Sequence, residues 1–154
     1  MSRPRYKWWG YVKNMIRAYP SLKKEYDDLH EQSVTPNLSG MPGGGEVSRG
    51  TENIALRELS GPNQAEYDAV RKAIAITEHM RTGADRLKLM DLVFWKNSHT
   101  LQGAAMVIHV SYETAVEYHR DFIMVAAYFR GLVEGDNLVG VQKLALKSQN
   151  DVLK

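Results

Sequence analysis

The chain has 154 residues, of which 44% are hydrophobic, and its formal net charge at pH 7 is +2. This length suffices for one modest hydrophobic core or for two small helical subdomains joined by a linker. Because the chain has no cysteine, a disulfide framework, a thiol nucleophile and a cysteine-ligated zinc site are excluded. The N-terminus has no apolar signal core, and no segment approaches the roughly 18 apolar residues of a membrane span. We therefore expect a soluble, unexported, cytoplasmic protein without a membrane partner.

The charge is distributed unevenly along the chain. A net charge of +2 is too small to indicate a nucleic-acid partner by itself, so the position of the charges matters. Before the first acidic residue, Glu25, all charged side chains are basic: Arg3, Arg5, Lys7, Lys13, Arg17, Lys23 and Lys24. From Leu101 onwards the acidic residues Glu113, Glu117, Asp121, Glu134, Asp136 and Asp151 outnumber the basic residues Arg120, Arg130, Lys143, Lys147 and Lys154. The basic charge is therefore concentrated at the N-terminus.

Residues 1–31 predict a helical hairpin with a basic and aromatic face. Apolar residues recur three and four apart from Trp8 to Tyr19, as in an amphipathic helix, and we expect Pro20 to end that helix. Ser21 can then cap a second helix. Basic residues interleaved with aromatic ones could hold single-stranded nucleic acid by phosphate contacts and stacking. Tryptophans at helical spacing are, however, more often core or interface residues.

Residues 32–51 are rich in Gly, Pro and Ser and predict a flexible linker. Its glycine run is not a phosphate loop, because no Gly-Lys-Ser/Thr follows it and no predicted strand precedes it. After the linker we expect a helical domain over 52–135, followed by a tail over 136–154 with a weak helical pattern. No segment alternates apolar and polar residues between hairpin turns, so the predicted fold is all-α.

Within that domain, residues 100–130 predict a helix-turn-helix. Thr100 can cap a short helix and Ser111 can cap a longer one directly after the turn. The small residues Ala104 and Ala105 allow two helices to approach closely. An ordinary α-hairpin would show the same pattern, so the spacing alone does not decide between the two.

The sequence offers no set of catalytic or metal-binding residues. The histidines show no His-Glu-x-x-His or similar spacing, and no carboxylate pair is marked as acid and base. These histidines are His30, His79, His99, His109 and His119. We therefore predict a protein that is not an enzyme and that has no cofactor and no metal site.

Three segments carry a resemblance to a known family: the predicted N-terminal helical pair, the phrase TPNLSGMPGGG, and residues 89–129. In the last segment an aromatic pair, Phe94-Trp95, is followed by a loop, by the small residues of the first helix, and by a Ser-x-x-Thr start at Ser111. In this order of features the chain resembles small phage regulators of late-gene transcription of the ArpU and RinA type. The C-terminal half of those proteins looks like the promoter-reading region 4 of sigma factors.

The resemblance implies a sequence-specific, DNA-binding transcription regulator, an activator of phage late genes in the bacterial host cell. Its partners would be double-stranded DNA and host RNA polymerase. Because a monomer with so few phosphate contacts should bind weakly, we also predict that a second copy in a homodimer, or the polymerase, supplies added contact. The second helix of the helix-turn-helix would contact DNA through Ser111, Tyr112, Glu113, Thr114, Glu117 and Arg120. Phosphate attraction would fall to Arg120, Arg130, Lys96 and the basic N-terminus. An acidic side chain on such a helix can accept a hydrogen bond from the amino group of cytosine.

Two other classes of protein fit the same sequence. A small terminase, the DNA-packaging subunit of a phage, also carries a helical DNA-binding unit and assembles into rings. A protein-interaction module would use the aromatic N-terminus and the second helix to contact another protein, and the acidic C-terminal third favours it. A ring of many subunits would indicate packaging, whereas a monomer or dimer would indicate transcription.

Overall fold

The computed structural model describes residues 6–31, 59, 61–138, 140, 142–143 and 147. Within them we number the helices α1 (Trp9–Glu31), α2 (Pro62–Glu78), α3 (Gly83–Met90), α4 (Leu101–Val107) and α5 (Tyr112–Arg130). A π-helical turn, Asp91–Trp95, follows α3, and a 3-10 turn, Gly135–Asn137, follows α5. The all-α prediction is confirmed. The predicted linker over 32–51 lies outside the described residues, and none of the helices described is long and apolar enough to cross a membrane.

The N-terminal segment is one helix, so the predicted hairpin is wrong. Helix α1 continues through Pro20 to Glu31. A proline inside a helix lacks the N–H that would bond the carbonyl four residues earlier, and it costs about 3 kcal/mol. Here that carbonyl belongs to Ile16, and the indole Nε1 of Trp95 donates a hydrogen bond to it over 2.9 Å. A side chain far along the sequence therefore satisfies the group that Pro20 leaves unpaired.

Helix α1 and the helices after residue 61 share one hydrophobic core. Val12 and Ile16 of α1 are fully buried together with Leu89 of α3 and Ile123 of α5. A smaller cluster, formed by Leu22, Leu59 and Tyr67, joins the second half of α1 to α2. The described parts of the predicted N-terminal and C-terminal domains are thus packed into a common interior.

The turn between α2 and α3 is tight. Helix α2 ends at Glu78, and Gly83 is the first residue of α3. A Cβ atom on Gly83 would lie 2.8 Å from the Glu78 carbonyl oxygen, so only glycine fits there without a shift of the backbone. This close approach places α3 directly against the end of α2.

Helix α5 has two different halves. Its six consecutive residues from Phe122 to Ala127 are all buried, and a helix buried on every side lies at the centre of a domain. In its first half, from Tyr112 to Arg120, buried residues such as Ala115 alternate with exposed ones. Gly131, with φ of 84°, ends the helix in the left-handed conformation that glycine adopts without strain. Helix α5 is therefore anchored by its C-terminal half and exposes one face of its N-terminal half.

Candidate nucleic-acid interface

Helices α4 and α5 begin at the two capping residues that the sequence indicates. The Thr100 Oγ1 accepts a hydrogen bond from the Gly103 backbone N–H over 3.1 Å. The Ser111 Oγ accepts one from the Thr114 backbone N–H over 3.1 Å. Each cap satisfies a backbone donor that the first turn of a helix cannot pair internally. Both predicted helix starts are confirmed.

The four residues from Ile108 to Ser111 form the turn between the two helices. His109 adopts a φ of 59°, the left-handed region that residues other than glycine and asparagine seldom enter. The turn is closed by the Val110 backbone N–H, which donates to the Ala105 carbonyl over 3.0 Å. Ala104 and Ala105 are buried, and their small side chains let α4 lie close against α5. The predicted short helix, tight turn and longer helix are therefore present.

The exposed side of the first half of α5 carries most of the predicted DNA-contacting residues. Tyr112, Glu113, Val116, Glu117 and Arg120 line a shallow depression of about 340 Å³. We call these five residues the recognition face. Val116 was not among the predicted contacts, although its position four residues after Tyr112 and four before Arg120 places it on the same side of the helix.

Ser111 and Thr114, two further predicted contacts, take part in the cap. Their hydroxyl groups are hydrogen-bonded to each other over 2.8 Å, in addition to the bond between the Ser111 Oγ and the Thr114 N–H. Thr114 is half-buried, whereas Ser111 is exposed. These side chains hold the start of α5 in place, and they border the recognition face.

Two of the predicted phosphate contacts, Arg130 and Lys96, are not among the residues of the recognition face. Arg130 is the last residue of α5, and at 1.5 Å per residue it is roughly 27 Å along the helix from Tyr112. Its Nε donates to the Tyr11 hydroxyl over 3.2 Å, and that hydroxyl donates to a Glu66 carboxylate oxygen over 2.6 Å. Lys96, in the loop before α4, forms an exposed ion pair with Asp91 at 3.2 Å. The structure therefore does not bring Arg130 to the recognition face.

A buried polar network crosses from α3 to α5, and no signal in the sequence indicated it. The Arg86 Nη1 donates to one Asp121 carboxylate oxygen over 2.8 Å, and the Gln142 Nε2 donates to the other over 2.8 Å. The Arg86 guanidinium also lies 4.2 Å from the centre of the Tyr118 ring. The two charged side chains are only 10% and 16% exposed. This arrangement pairs and neutralises the charge that it buries.

A different charged environment surrounds His119, one turn back from the buried core of α5. Its imidazole is stacked on the Phe94 ring, with 5.3 Å between ring centres and 8° between planes, and the Trp9 ring centre is 6.3 Å away. Burial, and then the charges of Lys13 and Arg17, lower the pKa of His119 from 6.5 to about 4. The imidazole is therefore neutral at pH 7.

Lys13 and Arg17 are one helical turn apart on α1, and both belong to the basic face that the sequence predicts there. Burial and the neighbouring Arg17 charge lower the pKa of Lys13. The Arg17 guanidinium carbon lies 5.5 Å from the centre of the Phe94 ring, and its Nη1 donates to the Asn14 side-chain oxygen over 3.3 Å. This pair of cations is thus placed between α1, the π-helical turn and α5.

Within the described residues, no group of three or more His, Asp or Glu side chains is arranged to hold a metal ion. Comparison of the chain with protein-family models, with curated proteins and with solved structures found no match.

Proposed function

We propose that the chain is a sequence-specific regulator of transcription that binds double-stranded DNA through α4 and α5. The observation that carries this proposal is the exposed N-terminal half of α5 after a capped helix and a four-residue turn. In helix-turn-helix proteins the N-terminal residues of the second helix contact base edges in the major groove. Helix α5 exposes the recognition face at that position, while its other half is held in the core.

The side chains of the recognition face suit base contacts better than phosphate contacts. The carboxylates of Glu113 and Glu117 can accept hydrogen bonds from the amino group of cytosine, and Arg120 can donate two to guanine. Exposed carboxylates also repel the phosphate backbone, so this face by itself contributes little non-specific affinity. Binding by this face therefore requires cations outside it.

The resemblance to phage late-gene regulators supports activation of transcription as the role of this surface. The chain would bind upstream of a promoter and contact host RNA polymerase, and so activate phage late genes in a bacterial host. A homodimer would place two α5 helices in successive major grooves, about 34 Å apart, and would double the contacts with DNA. A second copy of the chain or RNA polymerase would supply the contacts that the acidic recognition face lacks.

A protein-interaction module is the second candidate, and one observation favours it. Apolar side chains are exposed beside the turn, with Met106 73% exposed, Val107 38% and Tyr112 39%. Exposed apolar residues close together mark protein contact surfaces more often than isolated ones do. This candidate predicts that the purified chain binds no duplex DNA even at low salt.

A fluorescence anisotropy titration with labelled duplexes tests the proposal. The duplexes are taken from the genomic neighbourhood of the gene, and a scrambled duplex is the reference. We expect Glu117→Gln and Arg120→Ala each to reduce discrimination between the duplexes by about 1–3 kcal/mol, because a base contact is lost. Arg81→Ala, an exposed change in the turn between α2 and α3, is the matched control and should leave this discrimination unchanged. Equal binding by all variants to all duplexes contradicts the proposed recognition face.

A further inference from the structure

Among the residues that the structure describes, no ion pair joins Lys13 or Arg17, the cation pair, to an acidic side chain. The Arg17 charge contributes to the lowered pKa of Lys13, and both cations contribute to the lowered pKa of His119. Arg17 donates to the neutral amide of Asn14. The ion pairs among the described residues use other cations, namely Arg71, Arg86 and Lys96. Like charges four residues apart on a helix repel, so this arrangement costs stability unless an anion is bound.

The pair is also partly open to solvent. Arg17 and the adjacent Asn14 are exposed, and Lys13 is half-buried. The apolar side chains next to it, Trp9 and Phe94, pack against the hydrophobic core and fix the base of the site. The cationic groups therefore lie beside side chains of the core and remain accessible to a ligand from outside.

The position of the pair relative to α5 suits a DNA backbone. The Phe94 ring, whose centre lies 5.5 Å from the Arg17 guanidinium, is stacked on His119 of α5 with 5.3 Å between ring centres. His119 directly precedes Arg120, which belongs to the recognition face. The cations therefore lie beside the exposed half of α5, where a DNA backbone that borders the contacted groove would pass.

We propose that Lys13 and Arg17 form a phosphate-binding site on α1 that holds the DNA backbone beside the recognition face. The proposal rests on the proposed function of α5 and adds the cations that its acidic surface lacks. The Arg17 guanidinium can donate two parallel hydrogen bonds to a phosphate, whereas the Lys13 ammonium supplies a compact charge. Such contacts position a protein on DNA and carry no sequence information.

Salt-dependent anisotropy titrations with a cognate and a scrambled duplex test this site. We expect Lys13→Gln and Arg17→Gln to weaken binding of both duplexes by the same factor. Each change should reduce the slope of log K against log salt concentration by about 1, because one phosphate contact is lost. Lys23→Gln and Lys24→Gln remove exposed charges from the same helix beyond Pro20 and are the matched controls, which should keep the wild-type slope.

Two further variants separate charge from fold. Arg17→Lys and Lys13→Arg keep the charge and should keep most of the slope, and circular dichroism should show wild-type helix content for every variant. An unchanged slope in the Lys13→Gln and Arg17→Gln variants overturns the phosphate site and leaves the recognition face standing. Weaker binding in these variants, combined with no effect of Glu117→Gln or Arg120→Ala, supports the site and overturns the recognition face. No duplex binding by the wild-type chain at low salt overturns both.

Discussion

Positions 119 and 121 of α5 lie in two charged environments that differ in one respect. Around Asp121 the charges are opposite, since one carboxylate oxygen accepts a hydrogen bond from the Arg86 guanidinium over 2.8 Å, while the neutral Gln142 amide bonds the other. Around His119 the neighbouring charges are alike, because Lys13 and Arg17 are both cations. Among the described residues, an ion pair neutralises the first environment and none neutralises the second.

This difference separates a structural role from a binding role. A buried charge is tolerated when a partner neutralises it, and removal of that partner is strongly destabilising. The mutual repulsion of a pair of like charges four residues apart on a helix opposes folding. The Asp121 environment therefore maintains the contact between α3 and α5, whereas the His119 environment is available to an anion from outside.

The largest expected effect comes from Asp121→Asn, which leaves the buried Arg86 guanidinium without a negative partner. We expect the free energy of unfolding to fall by about 3 kcal/mol, because an uncompensated charge remains in a nearly buried position. This free energy is measured by urea unfolding, with circular dichroism as the probe. Asp85→Asn, an exposed change on α3, is the control and should remain within about 0.5 kcal/mol of wild type. Equal stability of the two variants would show that the pair does not hold the helices together.

An intermediate effect is expected from acidification. The pKa of His119 is lowered from 6.5 to about 4 by burial and by the two cations, so the unfolded chain binds the proton more readily. The stability linked to this group is fully present above pH 6.5 and is lost as the pH falls towards 4, by about 2 kcal/mol between pH 7 and pH 4.5.

Urea unfolding at pH 7 and at pH 4.5 measures that loss. His119→Phe keeps an aromatic ring against Phe94 and removes the titrating group, so it should reduce the pH dependence. His79→Gln, a change at an exposed histidine, should retain the wild-type pH dependence. The same loss in His119→Phe as in wild type would assign the acid sensitivity to other groups.

The smallest effect concerns the cation pair itself. Lys13→Gln should raise the free energy of unfolding by about 0.3 kcal/mol, because it removes the repulsion between like charges four residues apart. The comparison is with Lys23→Gln on the same helix, measured by thermal unfolding at low salt. A clear loss of stability in Lys13→Gln would mean that the lysine is a structural residue and not a cation held ready for an anion.

The features that the sequence predicted depend on residues close together in the chain. The caps at Thr100 and Ser111 each bond a backbone N–H three residues later. The recognition face follows from the helical period once the start of α5 is known. The fold class also follows, since helical spacing recurs throughout the chain and no strand pattern competes with it.

The features that the sequence did not predict depend on distant residues. Pro20 has the local signature of a helix end, yet α1 continues through it. The indole of Trp95 bonds the carbonyl of Ile16, which is 79 residues away in the sequence. Arg130 has the positive charge that a phosphate contact needs. It lies, however, at the C-terminal end of α5 and bonds Tyr11, which is 119 residues away in the sequence. The network of Arg86 and Asp121 spans 35 residues. Local spacing carries no information about such pairs.

The bond between Trp95 and α1 also determines what the intrinsic fluorescence of the protein reports. The chain has three tryptophans. Trp9 begins α1, the Trp8 ring centre lies 6.0 Å from that of Trp9, and Trp95 bonds a carbonyl of the same helix. Every indole therefore lies on α1 or against it. Tryptophan emission from the unmodified chain is a direct optical signal for the docking of α1 onto the other helices.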